Sequence, residues 1–153
     1  MSPDPVPSEL GAHLGYWLRM VSNHVSHGFA RGLGAHDVTV AEWCMMRTLH
    51  GRQPISPSRI ADEMGMTRGA ISRLAERLIG KGLAVRAASR GDARAQTLTL
   101  TAQGTELVPS LAAVADRNDE SCFRCLTANE RDTLERILKS MVERGGIAAV
   151  PID

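Results

Sequence analysis

The stretch "RIADEMGMTRGAISRL", residues 59–74, narrows the possible folds more than any other part of the chain. Two short amphipathic segments meet at Gly65, the residue type that most readily adopts the left-handed conformation ending a helix. Ser56 and Thr67 precede the segments as N-caps, and Pro57 suits a first helical turn. In the second segment Ala70, Ile71, Leu74, Ala75 and Leu78 recur at helical spacing, so one face is core and the other points outward. After Gly80 and Gly82 the period changes. "LAVRAAS" and "AQTLTLT" alternate as strands around "RGDAR". Two closely joined helices followed by a β-hairpin form a helix-turn-helix with a wing.

The flanking sequence is helical. Leu10, Leu14, Trp17, Leu18, Val21, Val25 and Phe29 line one side of an expected helix from about Ser8 to Arg31, broken by "GLGAHDVT". Thr39 caps a second helix ending near His50 and Gly51. Thr101 caps a helix running to about Phe123, and "LTANE" is a capping box that opens the last helix, to about Arg144. The expected fold class is therefore mainly α with a small β-hairpin wing. Residues 39–100 form a winged helix-turn-helix lobe and residues 8–38 and 102–145 form dimerisation helices, all within a single domain over 1–153. The outer helices are longer than one small lobe needs, which predicts a two-fold homodimer.

With 153 residues, 43% apolar and 23% charged, the chain can close a core without disulfides. No apolar run reaches the roughly 18 residues that span a bilayer, and "MSPDPVPSEL" has no signal-peptide pattern. With three cysteines, an odd number, the expectation is a cytoplasmic protein with reduced thiols and no membrane partner. The net charge of +1 conceals an uneven distribution. Residues 67–100 carry seven basic and two acidic side chains, while the segments on either side are net acidic. Such a concentration marks a nucleic-acid surface.

In a helix-turn-helix the second helix enters the major groove and reads bases with its first turns. Arg68 lies there and can engage a guanine edge in bidentate fashion; Ser72 follows one turn later. Arg73 and Arg77 are spaced to track phosphates. Gly69 costs the helix about 1 kcal/mol against alanine, and its bare backbone allows close approach to DNA. Two roles are open to Glu76, accepting from a cytosine amine or orienting Arg73. Ser56, Ser58, Thr67 and Arg90 complete the contacts expected from the residues themselves. No nucleophile motif, phosphate loop or paired-carboxylate pattern points to an enzyme, and no cofactor is expected.

The stretches "DVTVAEWCMMRTLH", "RIADEMGMTRGAISRLAERLIGKGLAVR", "RGDARAQTLTLTAQG" and "LTANERDTLERIL" resemble the MarR family of bacterial transcriptional regulators, over nearly the whole chain. The resemblance implies a homodimer with interlocking first and last helices. It also implies binding to double-stranded DNA at a palindromic operator, usually as a repressor relieved by a small molecule. It places Arg94 as the wing arginine entering the minor groove, with Asp92 helping to hold the hairpin. Ala93 departs from the basic residue common there, and Arg90 is the candidate replacement. An effector pocket is implied between the first two helices and the DNA-binding lobe, with Trp17, Met20, His24, Trp43 and Arg47 as candidate lining.

Other constellations carry less. Cys122 and Cys125 form a C-x-x-C at the end of a helix rather than at its start, and Cys44 lies on another helix. His24 and His27 share a helix face without a third ligand, so no metal site is expected. Two alternatives stand beside the ligand-responsive regulator: a thiol-based redox regulator on the same scaffold, and a winged-helix module that binds protein.

Overall fold

The computed structural model describes residues 5–148 and 151–152, with the side chains of all but Ala93 and Arg94. A 3-10 turn, Leu10–Ala12, leads into α1 (Leu14–Gly34), followed by α2 (Val40–Leu49), α3 (Pro57–Met64) and α4 (Arg68–Gly80). Strands β1 (Ala84–Ser89) and β2 (Asp92–Leu100) pair antiparallel, and α5 (Ala102–Phe123) and α6 (Ala128–Gly145) complete the chain. Among the described residues no helix is long and apolar enough to cross a membrane.

Local chemistry sets most boundaries. The hydroxyls of Thr39, Ser56, Thr67, Thr101 and Thr127 each accept from a backbone N–H in the first turn of the following helix. Thr39 and Thr127 form reciprocal capping boxes with Glu42 and Glu130. Gly65, with φ of 63°, ends α3 in the left-handed conformation.

Two boundaries depart from expectation. The first long helix begins at Leu14 rather than near Ser8, because His13 is extended and contributes no side-chain cap. The Trp17 indole donates to the Gly11 carbonyl at 2.9 Å, holding the preceding 3-10 turn against the helix. At its other end α1 runs through the expected break to Gly34. Leu33 is fully buried there, and Gly28 and Gly32 serve a close helix crossing. A Cβ at Gly32 would lie 2.5 Å from Val114 Cγ1, and one at Gly28 would lie 2.4 Å from Asn118 Oδ1. Packing against α5 thus overrides the weak helix propensity of glycine.

The hairpin tip is also tighter than "RGDAR" suggests. Ser89 pairs with Asp92, so only Arg90 and Gly91 form the turn, and Gly91 has φ of 94°. Ile55, in the α2–α3 loop, exchanges backbone hydrogen bonds with Leu98 at 2.9 and 2.8 Å and so ties the helices to the wing.

The core gathers Leu33, Met45, Met46, Ile60, Ile71, Leu78, Leu98 and Leu111 from six elements, all nearly inaccessible to solvent. At the base of the wing, Thr101 N–H donates to the Leu83 carbonyl at 3.0 Å and its hydroxyl donates to the Gly82 carbonyl at 2.7 Å. A Cβ at Gly104 would lie 2.1 Å from the Leu83 oxygen, so the first turn of α5 presses directly on the chain entering β1. Outside this core lie two apolar faces. Leu14, Trp17, Leu18, Met20 and Val21 are at least half exposed on α1, and Ile137, Met141 and Val142 are similarly exposed on α6.

Candidate nucleic-acid interface and ligand cavity

Helix α4 buries Ile71, Leu74, Ala75 and Leu78 and presents Arg68, Gly69, Ser72, Arg73, Glu76 and Arg77 to solvent. Arg68, Ser72, Arg73 and Arg77 make no side-chain hydrogen bond or ion pair among the described residues. A Cβ on Gly69 would meet only Arg73 Nη1, at an ordinary 3.8 Å. The interior of the fold therefore does not require glycine at this position. Ser56 and Thr67 are engaged as caps, accepting from Arg59 and Ala70 N–H at 3.3 and 3.2 Å, while Ser58 is half-buried.

Within the chain Glu76 is paired with Arg86 of β1, at 2.5 Å, and not with Arg73. The pair bridges α4 to the wing. The pairing removes one arginine from the basic set and orients the strand beside the helix. Arg90 stands exposed in the hairpin turn. The Arg94 side chain lies outside the described residues, although its backbone is part of β2.

One constellation escaped the sequence. Glu42 is 1% exposed, yet it is charged. Its Oε2 accepts from Lys81 Nζ at 2.9 Å and from Thr39 N–H at 3.0 Å. Lys81, just past the last turn of α4, also donates to the Asp37 carbonyl at 2.5 Å. Asp37 is the one non-glycine residue in the left-handed region among those described, with φ of 56°. The α1–α2 turn, the start of α2 and the end of α4 are thus joined at one ammonium. The available signal was a lone acid in the apolar run "VAEWCMM", since a buried carboxylate needs a partner.

A cavity of about 320 Å³ opens between α1, α2 and α5. Val25, Phe29, Val40, Trp43 and Ala115 give it apolar walls, and Pro151 of the C-terminal tail closes one side. Phe29 and Trp43 meet edge to face with centroids 6.5 Å apart. Of the five residues expected here, only Trp43 lines the cavity. Arg47 stands over the Trp43 ring at 5.9 Å and contacts His50, outside the lining. Trp17, Met20 and His24 are exposed earlier on α1 and are not brought to the cavity. Phe29, Asn118 and Asp119 were missed; the rarity of phenylalanine, two in the chain, was the signal for the first.

The cysteines are separate free thiols. Cys44 lines the cavity, where burial pushes its thiol pKa up and so disfavours the reactive thiolate. Cys122 lies in the last turn of α5, while Cys125 lies beyond the helix in the turn to α6. Both were expected on one helix. No group of three or more potential metal ligands occurs among the described residues.

Residues 36–95 match the family model "MarR family". The chain is 24% identical over 135 residues to the HTH-type transcriptional regulator SarZ of Staphylococcus haemolyticus, covering 88% of this chain and 90% of that one. An uncharacterized HTH-type transcriptional regulator of Bacillus cereus is 32% identical over 93 residues, 58% of this chain and 59% of the relative. Among solved structures, a mutant MarR from E. coli complexed with operator DNA superposes with a TM-score of 0.73 at 25% identity, covering 84% of this chain and 93% of that one. Bordetella bronchiseptica BpsR, described with regulation of its DNA binding by 6-hydroxynicotinic acid, has a TM-score of 0.74 at 21% identity, covering 89% and 97%.

Proposed function

We propose that this chain, which belongs to the MarR family through its winged helix over residues 36–95, is a dimeric repressor whose hold on a palindromic operator is released by a small molecule. The observation that carries the DNA-binding part is the outward face of α4, where three arginines and a serine stand without partners in the fold. In this reading α4 lies in the major groove, with Arg68 and Ser72 at base edges and Gly69 allowing close approach of the backbone. Arg73 and Arg77 follow phosphates, and Ser56, Ser58 and Thr67 flank them. Arg90 and Arg94 serve the wing at the minor groove. Residues 39–100 act as the DNA lobe, while residues 8–38 and 102–145 pair two chains. Support for dimerisation comes from the two apolar faces that one chain leaves uncovered. Support for an effector comes from the cavity between α1, α2 and α5, and from the ligand-regulated neighbour of the same fold.

The test is selection of bound duplexes from a random pool, followed by titration of the selected operator against variants at fixed salt. Arg68→Ala is expected to lose about 1–3 kcal/mol of discrimination at one position per half-site. Arg77→Ala is expected to weaken all sequences alike and to lower the salt slope by about one. If both variants weaken every sequence equally, Arg68 does not read a base.

A further inference from the structure

The cavity between α1, α2 and α5 has an asymmetry of charge. Its lining includes the Asp119 carboxylate and the neutral donors Ser26 and Trp43, while no lysine or arginine lines it. Asp119 contributes a carboxylate at the rim. Its Oδ2 accepts from Arg131, and Oδ1 has no hydrogen-bond partner among the described residues. The Pro151 carbonyl accepts only a long contact from the Cys44 thiol, at 4.0 Å, and has a second lone pair available. The side-chain amide in the lining spends one of its two N–H groups within the fold, since Asn118 Nδ2 donates to the Val25 carbonyl at 3.0 Å. Of the two guanidiniums nearby, Arg131 is the ion-pair partner of Asp119 itself, through Oδ2 alone, and neither lines the cavity. Arg131 lies over the Phe123 ring at 5.9 Å, and Arg47 stands over Trp43 and contacts His50.

A carboxylate entering this space would shed water and meet a second carboxylate with no lining cation to replace its hydration. An ammonium would meet the Asp119 carboxylate and the Pro151 carbonyl in a space lined by two aromatic side chains, Phe29 and Trp43, a residue class that attracts cations. The volume suits a body of one or two rings. We propose that the ligand of this cavity is a small cationic amphiphile, an aromatic or alicyclic body carrying a protonated amine that faces Asp119 and the Pro151 carbonyl. The inference rests on the effector reading above and specifies the chemical class that the effector belongs to.

The test uses the full chain carrying Trp17→Phe, so that Trp43 is the sole indole emitter. Three probes of similar size are titrated at pH 7.5 and fixed salt: 2-phenylethylamine, 2-phenylethanol and 3-phenylpropanoate. The amine is expected to bind about tenfold or more tighter than the carboxylate, with the alcohol between them. Asp119→Asn is expected to abolish the advantage of the amine over the alcohol while leaving alcohol affinity intact, which also reports that the cavity is still formed. Equal or tighter binding of the carboxylate overturns the inference, as does absence of saturable quenching by the amine or an amine preference that survives Asp119→Asn. Operator binding is measured on the same protein. If the carboxylate releases operator, the regulator reading stands and the ligand class falls. If no duplex is selected while the amine preference appears as described, the ligand class stands and the regulator reading falls.

Discussion

The winged-helix lobe and the outer ends of the chain treat apolar side chains in opposite ways. In the lobe Ile60, Ile71, Leu78 and Leu98 are sealed by neighbours from the same chain, and the buried Glu42 carboxylate has its ammonium. Toward the ends, Leu14, Leu18, Val21, Ile137 and Met141 leave 44% to 88% of their surface in water. The same residue types appear in both regions, so composition does not separate them. They differ in whether the chain can bring a second face to cover the first. The core of the lobe is closed within one chain, completed by Leu33 of α1 and Leu111 of α5, whereas the apolar faces toward the ends are left uncovered by that chain.

The sharpest way to break this contrast is through the lobe core. Leu78→Ala removes a fully buried side chain and is expected to cost about 2–5 kcal/mol in chemical denaturation. For that core to be self-contained, the loss must be the same at low and high protein concentration. Next in size is Lys81→Met, which leaves the Glu42 carboxylate buried without its cation. It is expected to cost about 3 kcal/mol, and Glu42→Gln with Lys81→Met should recover much of that loss. If the single variant denatures like the parent, the pair does not hold α2 to α4.

The outer ends should respond to concentration instead. Ile137→Ser with Met141→Ser is expected to weaken self-association about tenfold or more, about 1.4 kcal/mol, in sedimentation equilibrium. The parent should sediment at twice the 16.5 kDa chain mass, and the circular dichroism of the lobe should be unchanged in the variant. Loss of lobe structure on these substitutions would erase the distinction between the two regions.

The smallest effect is electrostatic. Arg52 and then Arg59 hold the Glu63 carboxyl at about 2, below its usual 4.5, on the surface beside α3. Because the folded value is depressed, this contribution is present above the unfolded value and is lost as pH falls from about 4.5 through about 2. Exposure and salt screening keep it minor. The stability gap between parent and Glu63→Gln should narrow over that acid range and widen toward neutrality; a gap independent of pH would show that the cluster contributes nothing.

What was legible in the sequence was mostly local. Thr39, Ser56, Thr67, Thr101 and Thr127 cap within three residues of themselves, and Gly65 ends a helix through its own φ. The change of period into the hairpin is likewise written in adjacent residues. Illegible features depend on distant partners. Gly28 and Gly32 read as weak helix residues until α5 is placed against them. Glu42 and Lys81 lie 39 residues apart, and Glu76 meets Arg86 across ten. Only Trp43 of the five expected residues is brought to the cavity, for a related reason. Trp17 and Trp43 both stand among the expected lining, but the direction of each ring is set by tertiary packing. Trp43 meets Phe29, while Trp17 folds back onto Gly11.

The contact of Gly104 with Leu83 has a mechanical consequence. With no side chain between them, and with Thr101 bonded to both Gly82 and Leu83, the base of the wing and the start of α5 leave little space for sliding. They move as one lever. A helix of this length extends about 33 Å, so a tilt of roughly 5° about its far end carries the wing base about 3 Å, close to the spacing of adjacent base pairs. In the proposed dimer, small adjustments where two copies pair would reach the wing through this joint, with Pro109 inside α5 as the point at which the helix can bend. Gly104→Ala would force that joint apart and displace the wing while leaving every residue proposed to contact DNA unchanged.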